Sequence, residues 1–271
     1  FVGQTESPLV IRPYISSMTT SELNAVMVGG FATMAGGVLG ALSEMGIPAG
    51  HLLSASVISA PGALLLAKVM QPETDTPKTM GTVTIDVEEK STNVLEAIAV
   101  GTTGGMKLAL NVGAMLIVFL AMITLVNMIV GWVGVQCNQV AEDGTSLWSL
   151  EAALSYMFYP MAWLIGIESG DCMRAGELMG LKMATNEFVA YGRLAEWGKE
   201  ESAVEISQRT RDIMTYALCG FANFSSIGIQ LGGIGGIAPD RQGDLARLGL
   251  RAMLGGTMAA FMTACIAGLL L

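Results

Sequence analysis

The sequence predicts an all-α integral membrane protein: an inverted repeat of a re-entrant helical hairpin plus a broken transmembrane helix, with a scaffold helix between the repeats. Three observations predict it. The chain of 271 residues is 52% hydrophobic and 14% charged, with a mean hydropathy of +0.57, where soluble domains carry about 25% charged residues. Stretches without charge or histidine cover 23–43, 52–67, 108–141, 213–239 and 252–271, and several reach the ~20 residues that span a bilayer. Each half also places an acidic motif ahead of a Gly-Phe-Ala string. Gly3-Gln4-Thr5-Glu6 precedes Gly30-Phe31-Ala32-Thr33, and Asn186-Glu187-Phe188 precedes Gly220-Phe221-Ala222-Asn223. Repeated halves with broken, Gly-rich apolar helices are how many secondary transporters build a binding site.

The elements follow in order. Residues 3–6 form a hairpin tip and 7–17 its descending arm, with Pro8 in the first helical turn, where a missing N–H is harmless. Ser21-Glu22 opens an apolar segment interrupted by five glycines, which permit an unwound stretch or close packing; Gly36 and Gly40 have small-xxx-small spacing. Residues 51–70 make a helix kinked at Pro61. His51, at its start, reads as an interfacial residue rather than a proton relay. The loop 71–92 is acidic and contains an alternation, Val83 to Val87, that suits a short extended piece. Residues 93–106 read as an interfacial helix ending at Gly104-Gly105, and 108–135 as the scaffold span. Residues 147–167 read as a second interfacial helix. The stretch 171–195 is too polar to face lipid and reads as a second hairpin shielded by protein. A charged, soluble hinge over 196–212 leads to a broken helix over 213–238 and a last span over 248–271. The units are therefore 1–70 (first repeat), 71–146 (loop, interfacial helix and scaffold helix) and 147–271 (second repeat). No Lys or Arg lies between Lys107 and Arg174, which favours a non-cytoplasmic loop at 136–146.

The net charge of −9 argues against nucleic acid as a partner. Four scattered cysteines without C-x-x-C spacing imply neither a disulfide framework nor a metal site. No Ser–His–Asp set, HExxH or phosphate loop is present, and no cofactor is expected. Glu6 and Glu187 are the candidate site carboxylates, because a charge near the bilayer centre persists only with a partner, a wet cavity or a ligand. The bland alternative pairs them with Arg12 or Arg193. Gln4 and Thr5 add donors and acceptors beside Glu6 that suit the edge of a flat polar ligand such as a nucleobase. Asn223, Ser225 and Ser226 suit sugar hydroxyls or, alternatively, interhelical hydrogen bonds. Thr33 takes the place in the first half that Asn223 takes in the second.

Together these residues resemble the concentrative nucleoside transporter family. The matching strings are Gly-Gln-Thr-Glu-Ser-Pro-Leu-Val-Ile-Arg-Pro-Tyr at 3–14, Met-Thr-Thr-Ser-Glu-Leu at 18–23 and Gly-Gly-Phe-Ala-Thr-Met-Ala-Gly at 29–36. Later ones are His-Leu-Leu-Ser-Ala-Ser-Val-Ile-Ser-Ala-Pro at 51–61, Asn-Glu-Phe-Val-Ala-Tyr at 186–191 and Tyr-Ala-Leu-Cys-Gly-Phe-Ala-Asn-Phe-Ser-Ser-Ile-Gly-Ile-Gln at 216–230. The resemblance implies that Gln4, Thr5 and Glu6 face a nucleobase and that Val38 packs on it. It implies that Glu187, Asn223 and Ser226 bind ribose and that Phe221 lines the same pocket. It further implies a sodium site of backbone carbonyls at Val2 and the Thr33–Gly37 turn plus the Thr33 hydroxyl, with protons as the alternative coupling ion. A homotrimer in a bilayer, here a bacterial inner membrane, is expected. The chain opens at Phe1 without the helices that precede the first tip in the family, and so reads as a fragment holding most of the site. The function expected is cation-coupled (Na+ or H+) nucleoside symport. The rivals are an intramembrane hydrolase using the carboxylate pair Glu6 and Glu187, and a passive channel.

Overall fold

The computed structural model describes residues 2–81, 93–141, 146–199, 202 and 204–271. The described residues are helical, apart from loops and one isolated bridge between Val140 and Ser146. The alternation at Val83 to Val87 lies outside them. Two short helices, α1 (Ser7–Val10) and α2 (Arg12–Ile15), follow the first tip, each with a proline in its first turn, where no N–H partner is needed. The broken helix comes next as α3 (Thr20–Ala32) and α4 (Gly36–Glu44), then α5 (Ala49–Met70), which runs on through Pro61. α6 (Val94–Gln136) lies between the halves. The second half consists of α7 (Leu150–Ile165), the hairpin arms α8 (Cys172–Ala184) and α9 (Glu187–Trp197), the broken helix α10 (Gln208–Ala217) and α11 (Phe224–Ile237), and α12 (Gln242–Leu270). Hairpin, broken helix and helix recur in the same order, which is the inverted repeat. Four stretches, Thr20–Glu44, Ala49–Met70, Val94–Gln136 and Pro239–Leu270, are long and apolar enough to cross a membrane.

The core gathers on α3, α5, α10 and α12, where Leu23, Met27, Phe31, Leu52, Ile213, Met214 and Ala252 are fully buried. Polar groups fix where elements begin and how they join. Thr19 and Glu22 form a reciprocal cap at the start of α3. The Arg241 guanidinium donates to the carbonyls of Ile15 (3.0 Å) and Met18 (2.6 Å), so the turn before α12 holds the base of the first hairpin. His51 Nδ1 meets the Tyr216 hydroxyl at 2.9 Å, tying the start of α5 to α10.

Three expectations are corrected. There is no separate interfacial helix at 93–106, because α6 is one helix of 43 residues, about 65 Å long at 1.5 Å per residue. Gly104 and Gly105 each cost a helix about 1 kcal/mol, too little to end one that no proline interrupts. The hinge 196–212 is shorter than expected, since α10 already starts at Gln208 under a Ser207 cap. α11 runs unbroken through the glycines over 232–236. Gly232 and Gly236 form a ridge with Gly228 at a spacing of four, and a Cβ there would strike Phe119 or Asn111 of α6, so these three admit the scaffold helix. Gly40 touches nothing that a Cβ would displace, whereas Gly176 and Gly180 would strike the backbone of Ser155 at 2.6 Å and 2.8 Å. Close contacts at small-xxx-small spacing therefore join α7 to α8, as they join α6 to α11.

Candidate functional site

The second hairpin tip is built from two half-helices. α8 ends at Ala184, Thr185 donates to the Leu181 carbonyl (2.6 Å), and the Asn186 side chain accepts from Val189 N (2.9 Å) to cap α9. Glu187 is then the first residue of α9, where the positive end of the helix dipole suits a carboxylate. It is 8% exposed. The second broken helix supplies its partner: the chain leaves α10, turns at Gly220 (φ 95°) and re-enters helix at Asn223, which caps α11. Asn223 Oδ1 accepts from Ser226 N (2.9 Å) and Ser225 Oγ (2.7 Å), and its Nδ2 donates to Glu187 Oε2 (3.0 Å).

The first tip reaches the same cluster. Gln4 is buried and donates from Nε2 to Ser226 Oγ (3.3 Å), while its Oε1 accepts from Gln230 Nε2 (3.2 Å). Gln230 also donates to the Met27 carbonyl of α3 (3.1 Å). Glycines make room for this approach: a Cβ on Gly30 would strike Gln230 Nε2 at 2.8 Å, and one on Gly233 would strike Thr5 at 2.9 Å. One polar chain thus links Gln4, Ser226, Asn223 and Glu187 across both tips. The two breaks also touch, since a Cβ on Gly220 would lie 2.7 Å from the carbonyl oxygens of Phe31 and Ala32.

The remaining sequence-predicted residues distribute around this cluster. Thr5 is half-buried, and Glu6 is exposed with its carboxylate folded back over Gly3, so Gln4 rather than Glu6 joins the network. Val38 is partly buried against the core and Phe221 is buried beside Asn223. Arg193 pairs with Glu177 (3.5 Å) and Glu196 (3.9 Å), not with Glu187. Val2 is exposed, Thr33 ends α3 with its hydroxyl donating to the Gly29 carbonyl (2.8 Å), and Gly37 sits exposed in the first turn of α4. Among the described residues no three His, Cys, Asp or Glu side chains group as a metal site. Carbonyls and the Thr33 hydroxyl are the donors present at the first break, the kind of set that broken helices offer an ion.

One equivalence is corrected. Phe31 and Ala32 lie inside the end of α3 and Thr33 is its C-terminal cap, whereas Phe221 and Ala222 lie in the break and Asn223 is an N-terminal cap. The halves repeat in their order of elements, but the Gly-Phe-Ala strings occupy different places in it.

Two site residues escaped the sequence reading. Gln230 follows Asn223 and Ser226 at the i, i+3, i+7 spacing of one helix face, a signal available in advance. Lys182 is 3% exposed and donates to the carbonyls of Ala217 (3.3 Å) and Cys219 (3.2 Å). Nothing local in the sequence marks that contact. A separate cavity of about 420 Å³, lined among others by Glu151, Tyr156, Glu177 and Arg193, shares no residue with the network.

Two inverted halves whose polar tips meet at helix breaks, embedded among apolar spans, define a secondary-transporter architecture. Residues 51–268 match the family model for the Na+ dependent nucleoside transporter C-terminus. An uncharacterized transporter of Haemophilus influenzae is 48% identical over 99% of this chain and 63% of its own length. Sodium/nucleoside cotransporter 1 of Oryctolagus cuniculus is 42% identical over the whole chain and 42% of its own length. A structure of a CNTnw variant in an outward-facing state superposes with a TM-score of 0.87 at 44% identity, covering 99% of this chain and 62% of that one. The chain belongs to the concentrative nucleoside transporter family and spans about two fifths to under two thirds of the length of these relatives.

Proposed function

We propose that the full-length transporter carrying this segment is a cation-coupled nucleoside symporter working by alternating access. The observation that carries the reading is the continuous polar chain from Gln4 through Ser226 and Asn223 to Glu187, which puts both tips on one cluster. In this reading Gln4, Thr5 and Glu6 meet the nucleobase edge and Val38 packs on its face. Glu187, Asn223 and Ser226 take the ribose hydroxyls, and Phe221 closes the pocket wall. Glu187 accepts from a hydroxyl while Asn223 both donates and accepts, the complement that a diol needs. The coupling ion binds at the first break, through carbonyls at Val2 and the Thr33–Gly37 turn and the Thr33 hydroxyl. Sodium is favoured over a proton because the matching family model is described as Na+ dependent and the rabbit relative is a sodium/nucleoside cotransporter.

Ion binding would order the first tip, nucleoside would then bridge the two halves, and the loaded unit would move against α6. The long apolar face of α6, with Ile117, Met128 and Trp132 exposed, suits lipid and the partner subunits of a homotrimer. For a bacterial chain the membrane would be the inner one. One cation moving down 100 mV supplies ~2.3 kcal/mol, roughly a 50-fold concentration ratio. Labelled uridine in proteoliposomes is the test. Accumulation above the outside concentration under an inward sodium gradient, with uridine chemically unchanged, supports symport. Equilibration without accumulation favours the channel, and altered uridine favours the hydrolase.

A further inference from the structure

The break between α10 and α11 has a buried lysine built onto it. Lys182, on hairpin arm α8, is almost wholly buried, and its ammonium lies on the carbonyls of Ala217 and Cys219, just before Gly220 turns the chain. A buried ammonium persists only where charge and hydrogen-bond acceptors compensate it. Here the negative end of the α10 dipole faces it, and the Glu187 carboxylate lies within electrostatic reach. The first half has the same kind of break after α3 and nothing comparable on it. Arg12 is the one Lys or Arg in residues 1–50, and it is exposed. Among the described residues no basic side chain hydrogen-bonds a carbonyl of the α3–α4 break.

We infer that Lys182 is the second half's own cation: its ammonium takes the place at the α10–α11 break that a coupling ion takes at the α3–α4 break, and so positions Asn223 and Glu187. This rests on the symport reading above. Two consequences follow. The second half needs no ion from solution, so one cation accompanies each nucleoside. Emptying the place should also let a small external cation occupy it.

The test is initial uridine uptake by the full-length transporter in proteoliposomes, read against sodium and uridine concentration, with and without ethylammonium. Wild type should show a sodium Hill coefficient of about one. Lys182→Ala should raise the uridine KM about tenfold, the loss of a charge-assisted contact. Ethylammonium should restore it, or a second sodium ion should, with the Hill coefficient rising toward about two. Lys182→Gln keeps N–H donors without charge and fills the space, so it should stay impaired with or without ethylammonium. A wild-type KM in Lys182→Gln would overturn the inference, because the charge would not matter. So would an impaired Lys182→Ala that neither cation relieves, or loss of fold in both variants whatever cation is present, since Lys182 would then be a packing residue only. Failure of symport itself would appear already in the wild-type arm and is thereby told apart from a failure confined to the variants.

Discussion

Glu187→Gln separates the role of charge from the role of shape at the second tip. Glu187 is 8% exposed and its Oε2 accepts from Asn223 Nδ2 at 3.0 Å. Glutamine has the same size, and its amide oxygen can accept the same bond. Lys182 keeps its two carbonyls. Exchanging a charge-assisted bond for a neutral one costs about 1 kcal/mol, offset in part by no longer burying a carboxylate. For a chain of this size that shifts Tm by roughly 2–4 °C. Binding should suffer more. If two ribose hydroxyls donate to the carboxylate, each loses about 1 kcal/mol, and about 2 kcal/mol weakens uridine roughly 30-fold. Calorimetry of uridine binding beside thermal unfolding reads both numbers. Affinity within about twofold of wild type would remove Glu187 from the site. A collapse of Tm in step with lost binding would make it a structural residue.

Three further outcomes are expected. Gly220→Ala places a side chain at φ 95° and 2.7 Å from two carbonyl oxygens, which should cost roughly 3 kcal/mol from strain and overpacking together, read as lower Tm and lower uptake. Arg241→Ala frees the carbonyls of Ile15 and Met18 at the base of the first hairpin, so stability should fall by about 1–3 kcal/mol and proteolysis near 16–19 should quicken. Asp171, at the base of the second hairpin and outside the membrane-spanning helices, gives a pH signature. Burial pushes its carboxyl up, but bonds from the Thr210 hydroxyl and from Ser207 N and Oγ outweigh that and hold it below the usual value. Its contribution is therefore present above the ordinary aspartate pKa and lost as pH falls through the lowered one. Asp171→Asn should flatten this acid limb in thermal unfolding measured against pH, and an unchanged limb would rule the group out.

Much of this arrangement was legible in the sequence because membranes leave coarse marks. Charge-free windows placed α3, α5, α6 and α12, and the polarity of 171–195 marked a hairpin shielded from lipid. The second break was bounded only within 213–238; Asn223, Ser225 and Ser226 stood out there as polar groups in an apolar span, while the cap that fixes the break, Asn223 bonding Ser226 N three residues on, was a local signal left unused. The unbroken length of α6 was not legible, since two glycines look like a stop until no competing cap is found. The Gly-Phe-Ala strings misled because three residues fit equally into a helix end and an extended turn. Lys182 was hidden for another reason. Its partners, Ala217 and Cys219, are 35 and 37 residues away, and only the folded chain brings them to it.

The central claim is that both tips grip one nucleoside, and an experimental structure of the full-length protein with uridine bound tests it most directly. The account predicts the base against Gln4, Thr5 and Glu6 beside Val38, with the ribose hydroxyls within hydrogen-bond distance of Glu187 and Asn223. Uridine lodged instead in the cavity of Glu151, Tyr156, Glu177 and Arg193, with the Gln4–Ser226–Asn223–Glu187 chain untouched, would contradict it.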